Sequence, residues 1–270
     1  MATKEITKTN GSQGIVQEIY GYREMIASLV RRDLRGRYKG NALGFLWNFI
    51  NPLMQLLVYT LVFSVIMRNG IEDYYLYLFV ALIPWIFFSS CISGGCNCIL
   101  GNGDMVKKIY FPREVLPISY VTSQFVNMLL SFVVVFVVLI FSGKGLAPIP
   151  LLYLPIIMIV EYVLALGMTL LFSALTVYLR DIANILGIIT MAWQFVTPVM
   201  YGREQVPARL LWVFDLNPMT SIIEAYRNIL YYQQTPDMGT LLVAVIAGVA
   251  FLVVGELVFR HLQRGFAENL

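Results

Sequence analysis

Residues 20–67, YGYREMIASLVRRDLRGRYKGNALGFLWNFINPLMQLLVYTLVFSVIM, decide the fold. They join a basic helical segment directly to an apolar run long enough to cross a bilayer. Read as a helix, residues 22–38 place Tyr22, Met25, Ile26, Leu29, Val30 and Leu34 on one side and Glu24, Ser28, Arg31 and Arg35 opposite. A helix with that stripe lies along a membrane surface. Asp33 and Arg37 fall on the apolar side four residues apart, where each can satisfy the other. Gly36, Gly40 and Gly44 then loosen the backbone, which lets the chain turn from the membrane plane to its normal. From Leu43 to Met67 the run is interrupted only by Asn48, Asn51, Pro52 and Gln55. Lipid offers these polar groups no partner, so they are expected to face protein or a cavity.

The rest of the composition agrees with that opening. The chain has 270 residues, 59% hydrophobic and 13% charged, with a mean hydropathy of +0.73. Too little charge is present to cover a soluble globule, so the reading is an all-α polytopic membrane protein without a separate soluble domain. Residues 1–19 form a polar tail; MATKEITKTNGSQG at its start is no cleavable signal, and the first span is expected to direct insertion. The net charge of +3 is small and suggests no nucleic-acid partner. Cys91, Cys96 and Cys98 sit together in SSCISGGCNCIL, but the single histidine, His261, is far along the chain. A metal site needs about four convergent ligands, so none is expected, and helix packing is the reading for the cysteines.

A span needs ~20 apolar residues. On that ruler six are expected, near 44–67, 75–99, 117–142, 150–178, 182–201 and 238–259, within a transmembrane domain of residues 41–264 and before a short tail of residues 265–270. One side of the membrane then collects Lys4, Lys8, Arg23, Arg31, Arg32, Arg35, Arg37, Lys39, Lys107, Lys108, Arg113, Arg180, Arg260 and Arg264. The other has Arg68, Lys144, Arg203, Arg209 and Arg227. This bias puts both termini in the cytoplasm.

Two connections stand out. Residues 101–117, GNGDMVKKIYFPREVLP, are basic and carry Ile109, Tyr110 and Phe111 among the charges. Such a cluster suits docking by another protein, or equally a turn anchored at lipid headgroups by snorkelling lysines. Residues 202–237 are too apolar for a free loop, yet their runs of ~10–14 residues are too short to span, which favours a re-entrant or interfacial helical pair. Asn217 and Pro218 begin a helix well, with Ser221 and Glu224 matching a capping box. Two acids lie at membrane depth. Glu256 has Arg260 four residues on and reads as an ion pair; Glu161 has no local partner and either lines a pathway or packs across a helix interface.

No GxxxxGK[ST] phosphate cradle occurs, so any ATPase that drives this chain is a separate polypeptide. No cluster of His, Asp or Glu suggests an enzyme, and no internal repeat suggests a secondary carrier. What the chain does have is 16 Tyr, 17 Phe and 4 Trp. Beyond the interfacial belts, rings such as Phe45, Trp47, Tyr59, Trp85, Phe88, Trp193 and Tyr201, with Asn48, Asn51 and Glu161, are candidates to line a conduit. Sugars present C–H faces that stack on such rings, while amides and hydroxyls bind their edges.

Five motifs in order carry a family resemblance: RRDLRGRYKGNALGFLWNFINPL (31–53), KKIYFPREVLP (107–117), YLRDIANIL (178–186), TPVMY (197–201) and LNPMTSIIEAYRNIL (216–230). The chain resembles the membrane-spanning subunits of type-2 ABC polysaccharide exporters, which export O-antigen, teichoic acid and related lipid-linked polymers. Asn41 and the cysteine-rich SGGCNC depart from the expected pattern. The resemblance implies a homodimer in a bacterial inner membrane, paired with two copies of an ATP-binding subunit that holds ATP and magnesium, so that this chain needs no cofactor. It makes residues 20–40 an interface helix and 203–232 the outer re-entrant pair. It makes Asp104, Lys107, Lys108, Ile109, Tyr110, Phe111 and Arg113 the coupling contact. Arg31, Arg32, Arg35 and Arg37 suit either the diphosphate of a polyprenyl-linked substrate or anionic membrane lipids. An exporter of a lipid or drug-like amphiphile with the same architecture is the second reading, and a membrane-bound transferase or assembly factor the third.

Overall fold

The computed structural model describes residues 15–38, 44–66 and 70–270; the tail before Ile15, Lys39, Gly40, Asn41, Arg68 and the side chains of Arg37 and Phe45 lie outside the described residues. Every regular element within them is helical. Helices α1 (Ile15–Gly21) and α2 (Arg23–Tyr38) precede α3 (Trp47–Thr60), which continues in wider π-helical turns through Leu61–Ile66. Then come α4 (Tyr74–Gly95), the short α5 (Gly103–Lys108), α6 (Val115–Phe141), α7 (Pro148–Leu151), α8 (Leu154–Tyr178) and α9 (Asp181–Val196). Two short helices, α10 (Leu211–Leu216) and α11 (Pro218–Leu230), occupy the 202–237 segment, and α12 (Met238–Leu262) leads into α13 (Phe266–Asn269).

Among the described residues, five stretches are long and apolar enough to cross a membrane: Trp47–Ile66, Tyr74–Gly95, Val115–Phe141, Pro148–Tyr178 and Met238–Asn269. The other expected span is shorter. With 16 residues, α9 covers about 24 Å at 1.5 Å per residue, against a hydrocarbon core of roughly 30 Å. It stops at Val196 because Thr197 precedes Pro198 and is held extended, with φ −103° and ψ 129°. Hydropathy alone carries the run on to Tyr201, since it does not register that backbone restriction.

The organising helix is α4. It is apolar on every side, and α3, α6, α8, α9 and α11 cover it along most of its length. A second, smaller core gathers Leu29 of α2, Val106 of α5, Phe111, Val115, Phe259 and Phe266. It defines the basic end of the bundle, where α2, α5 and α13 meet. At the far end the Tyr74 hydroxyl donates to the Met200 carbonyl at 2.6 Å, and Lys144 pairs with Asp73 at 3.2 Å.

Helices α8 and α12 approach backbone to backbone. A Cβ on Gly255 would lie 2.2 Å from the Gly167 carbonyl oxygen, and one on Gly167 would lie 2.4 Å from the Leu252 nitrogen. In a bilayer the hydrophobic effect does not drive helices together, so this close van der Waals fit is what holds the pair. Polar capping fixes the neighbouring ends. Asp237 accepts from the N–H groups of Thr240 (3.1 Å) and Gly239 (3.3 Å) at the start of α12, and those donors hold its carboxyl below the usual carboxylate range. For α11 the cap is Asn217, whose Oδ1 accepts from the Met219 N–H at 3.0 Å. The helix begins at Asn217 and Pro218 as read, but the capping box at Ser221 and Glu224 is corrected: Ser221 lies inside the helix and Glu224 turns to Arg203 at 3.4 Å.

Adding a methyl at Gly255 should force α8 and α12 apart and lower stability by about 1–3 kcal/mol, as overpacking does. The same change at Gly248, where a Cβ would sit 3.5 Å from its nearest neighbour, should be tolerated. Thermal unfolding of Gly255→Ala and Gly248→Ala in detergent checks the contrast.

Candidate functional site

A polar cavity opens between α3, α4 and α6, in the part of the chain where hydrocarbon would otherwise surround the helices. Asn48, Asn51 and Gln55 recur at i, i+3 and i+7 on α3, and Gln124, Asn127 and Ser131 repeat that spacing on α6. Each set therefore lies along one helical face. The two faces meet around a space of about 410 Å³, with Ser90 of α4 at its back and Trp47 and Phe87 on its walls. Asn48 donates to the Asn127 Oδ1 at 3.2 Å, and the Ser131 hydroxyl donates to the Asn127 carbonyl at 3.0 Å, which fixes the floor. Asn51 and Gln55 line this space and remain exposed.

None of the residues lining the cavity is charged. The lining offers amide donors and acceptors, two hydroxyls and aromatic faces, and it holds no group suited to proton transfer or metal ligation. It can bind neutral, hydroxyl-rich surface. The sequence reading reached the α3 half of this cavity because the amides interrupt an apolar run. It missed Gln124, Asn127 and Ser131, although their spacing in the third span carries the same signal.

The remaining conduit candidates lie elsewhere. Trp85 and Phe88 are enclosed in the main core, and Phe88 meets Trp193 edge-on at 5.2 Å between ring centres. The Trp193 N–H donates to the Asn217 Oδ1 at 3.0 Å. Tyr59 is half-buried against the core, and the Tyr201 hydroxyl donates to the Phe195 carbonyl. Glu161 has no exposed surface; its Oε2 accepts from the Tyr226 hydroxyl at 2.7 Å, which joins α8 to α11.

At the basic end, Asp104, Lys107, Lys108, Ile109 and Tyr110 are exposed, Tyr110 at 93%. Phe111 differs from the exposed cluster read from sequence. It is only 6% exposed and inserts into the second core, so the loop presents Ile109 and Tyr110 while Phe111 anchors it. Arg113 is half-buried. Arg31 and Arg35 are exposed on α2, whereas Arg32 donates to the Asn102 Oδ1 at 2.6 Å. Asp33 accepts from the Ser123 hydroxyl of α6, a bond across elements, while the local pair read with Arg37 falls on a side chain outside the described residues.

Arg227, which the charge bias counts on the outer side, is 3% exposed. Its guanidinium donates to the carbonyls of Pro198 and of Val199 (2.7 Å) and lies 3.7 Å from the Tyr77 ring centre. The non-helical TPVMY segment has no helical partners for those carbonyls, and one planar fork supplies them.

Residues 24–231 match the family described as ABC-2 type transporter. The chain belongs to that family. This ABC-2 chain is similar to the O-antigen export system permease protein RfbA of Myxococcus xanthus, at 35% identity over 95% of the chain and 99% of the relative. It is also similar to the protein of that name from Klebsiella pneumoniae, at 29% over 92% and 95%. A third relative is the polysialic acid transport protein KpsM of Escherichia coli, at 24% over 75% and 80%.

Replacing Arg227 by Lys should destabilise the ABC-2 fold by about 1–3 kcal/mol, because a single ammonium cannot serve the same carbonyls and a buried acceptor is left unpaired. A lowered unfolding temperature in detergent is the expected result.

Proposed function

We propose that this chain is the membrane-spanning subunit of an ATP-driven exporter of a lipid-linked polysaccharide. The observation that carries the reading is the 35% identity to an O-antigen export permease over 95% of the chain. The uncharged amide cavity supports it, because a glycan needs hydrogen bonds at hydroxyl edges and aromatic contact at ring faces.

In this reading a separate ATP-binding subunit, present in two copies, holds ATP and magnesium and performs hydrolysis. Two copies of this chain pair across the membrane, and the exposed Asn51 and Gln55 support that pairing because lipid would leave their amides unsatisfied. The cavity then forms part of the glycan-facing wall. Helix α9, extended by the TPVMY segment, makes the sixth crossing, α10 and α11 cap the outer mouth, and both termini lie in the cytoplasm of a cell bounded by this inner membrane. Residues 101–117 meet the ATP-binding subunit, and Arg31 and Arg35 face the headgroup layer where a lipid diphosphate arrives.

Two experiments test this. In a strain that depends on the Asn51→Leu, Gln124→Leu double variant, finished polymer should accumulate inside on its lipid carrier while the ATP-binding subunit still co-purifies. Normal surface polysaccharide in a strain lacking the chain altogether would point to another cargo. Separately, Lys107→Glu and Lys108→Glu combined with Tyr110→Ala should lower recovery of the ATP-binding subunit with the chain; undiminished recovery and ATPase activity would refute the coupling contact.

A further inference from the structure

The segment after α12 folds back beneath α5. Phe266 is fully enclosed, edge-on to Phe259 with ring centres 5.4 Å apart, and the Arg113 guanidinium lies 5.7 Å from its ring centre. Gln263 donates to the Glu114 carboxylate at 2.9 Å, and the Tyr178 hydroxyl donates to the Leu262 carbonyl at 2.7 Å. Leu270 covers the first turn of α5 so closely that a Cβ on Gly103 would touch its side chain at 3.7 Å. Residues 262–270 are therefore tied to both ends of the 101–117 loop.

Between loop and segment lies a cleft of about 780 Å³, with Lys107, Lys108 and Tyr110 on one wall and Arg260 and Arg264 on the other. Of the acids on its lining, Glu18 of α1 is exposed and Glu114 is bound. Glu114 is taken by Gln263, and Arg260 is held by Glu256 at 2.6 Å. Asp104 reaches Lys108 only at 3.9 Å, with both side chains open to solvent. Lys107 and Arg264 make no ion pair among the described residues and face the cleft from opposite walls. The occupant that suits this shape is a protein surface with an apolar hole for Tyr110 and carboxylates beside it. A phosphate headgroup would use the cations and leave the exposed ring of Tyr110 without a contact.

We infer that Arg260–Leu270 is the second wall of the socket for the ATP-binding subunit, with an acidic segment of that partner seated between Lys107 and Arg264. Phe266 positions the wall and Arg264 touches the partner. The inference rests on the reading of residues 101–117 as the contact with that subunit, and the test separates the two.

The chain in detergent is titrated with its purified ATP-binding subunit at low and high salt, comparing wild type, Tyr110→Ala and Arg264→Glu. Arg264 is exposed, so the reversal should leave thermal unfolding unchanged. It should weaken association about ten-fold at low salt, with the difference shrinking at high salt, whereas the loss from Tyr110→Ala should depend little on salt. If Tyr110→Ala weakens binding and Arg264→Glu does not at any salt, the second wall is overturned while the coupling contact stands. If neither changes binding, the coupling contact itself fails and takes the wall with it. If Arg264→Glu leaves subunit affinity intact but abolishes binding to phosphatidylglycerol vesicles, the cleft is a headgroup site and the inference is overturned.

Discussion

Hydrocarbon supplies no hydrogen-bond partner, and that constraint places the polar side chains that join the helices. Amides on α3 and α6 turn toward each other around a shared space. Arg227 turns inward to carbonyls that the non-helical TPVMY segment leaves without helical donors. Glu161 meets the Tyr226 hydroxyl, and Asp33 reaches the Ser123 hydroxyl on α6. In each case a group on one element bonds to a group on another, with Glu161 Oε1 left unpaired among the described residues, so polar pairing and helix arrangement are linked. The bundle is specified by these few bonds as much as by its apolar surface, which lipid would cover nearly as well as protein does.

Packing divides the labour between the two cores. Around α4 the helices are held by large apolar side chains, with α12 locked to α8 through glycines whose backbones touch. At the basic end, the smaller core joins α2, the 101–117 loop and the chain after α12 into one cluster. A displacement of α5 is thereby shared with the ends of α6, α8 and α12, because Phe111 and Phe266 are enclosed in the same apolar volume. Phe111 is therefore an anchor while Tyr110 stands exposed, although they are neighbours in sequence.

The charge pattern follows the same division. The cavity at membrane depth is neutral and amide-lined, suited to hydroxyl-rich ligands in a setting where an unpaired charge is expensive. The cleft at the basic end is cationic and borders exposed apolar residues, suited to another protein in water.

The sequence by itself determined the helical class, the amphipathic α2, the Glu256–Arg260 pair and the amides of the α3 face, because each follows from spacing within one segment. The co-ordered motifs that place the chain in its family were legible for the same reason. Tertiary structure alone decided which aromatics are core and which line a cavity, that Gln124 and Asn127 complete the α3 face, and that Arg227 is buried. Periodicity identifies a face but not what covers it. The covering groups lie far away in the chain, as Asn127 does from Asn48, and only the packing of whole helices brings them within bonding distance.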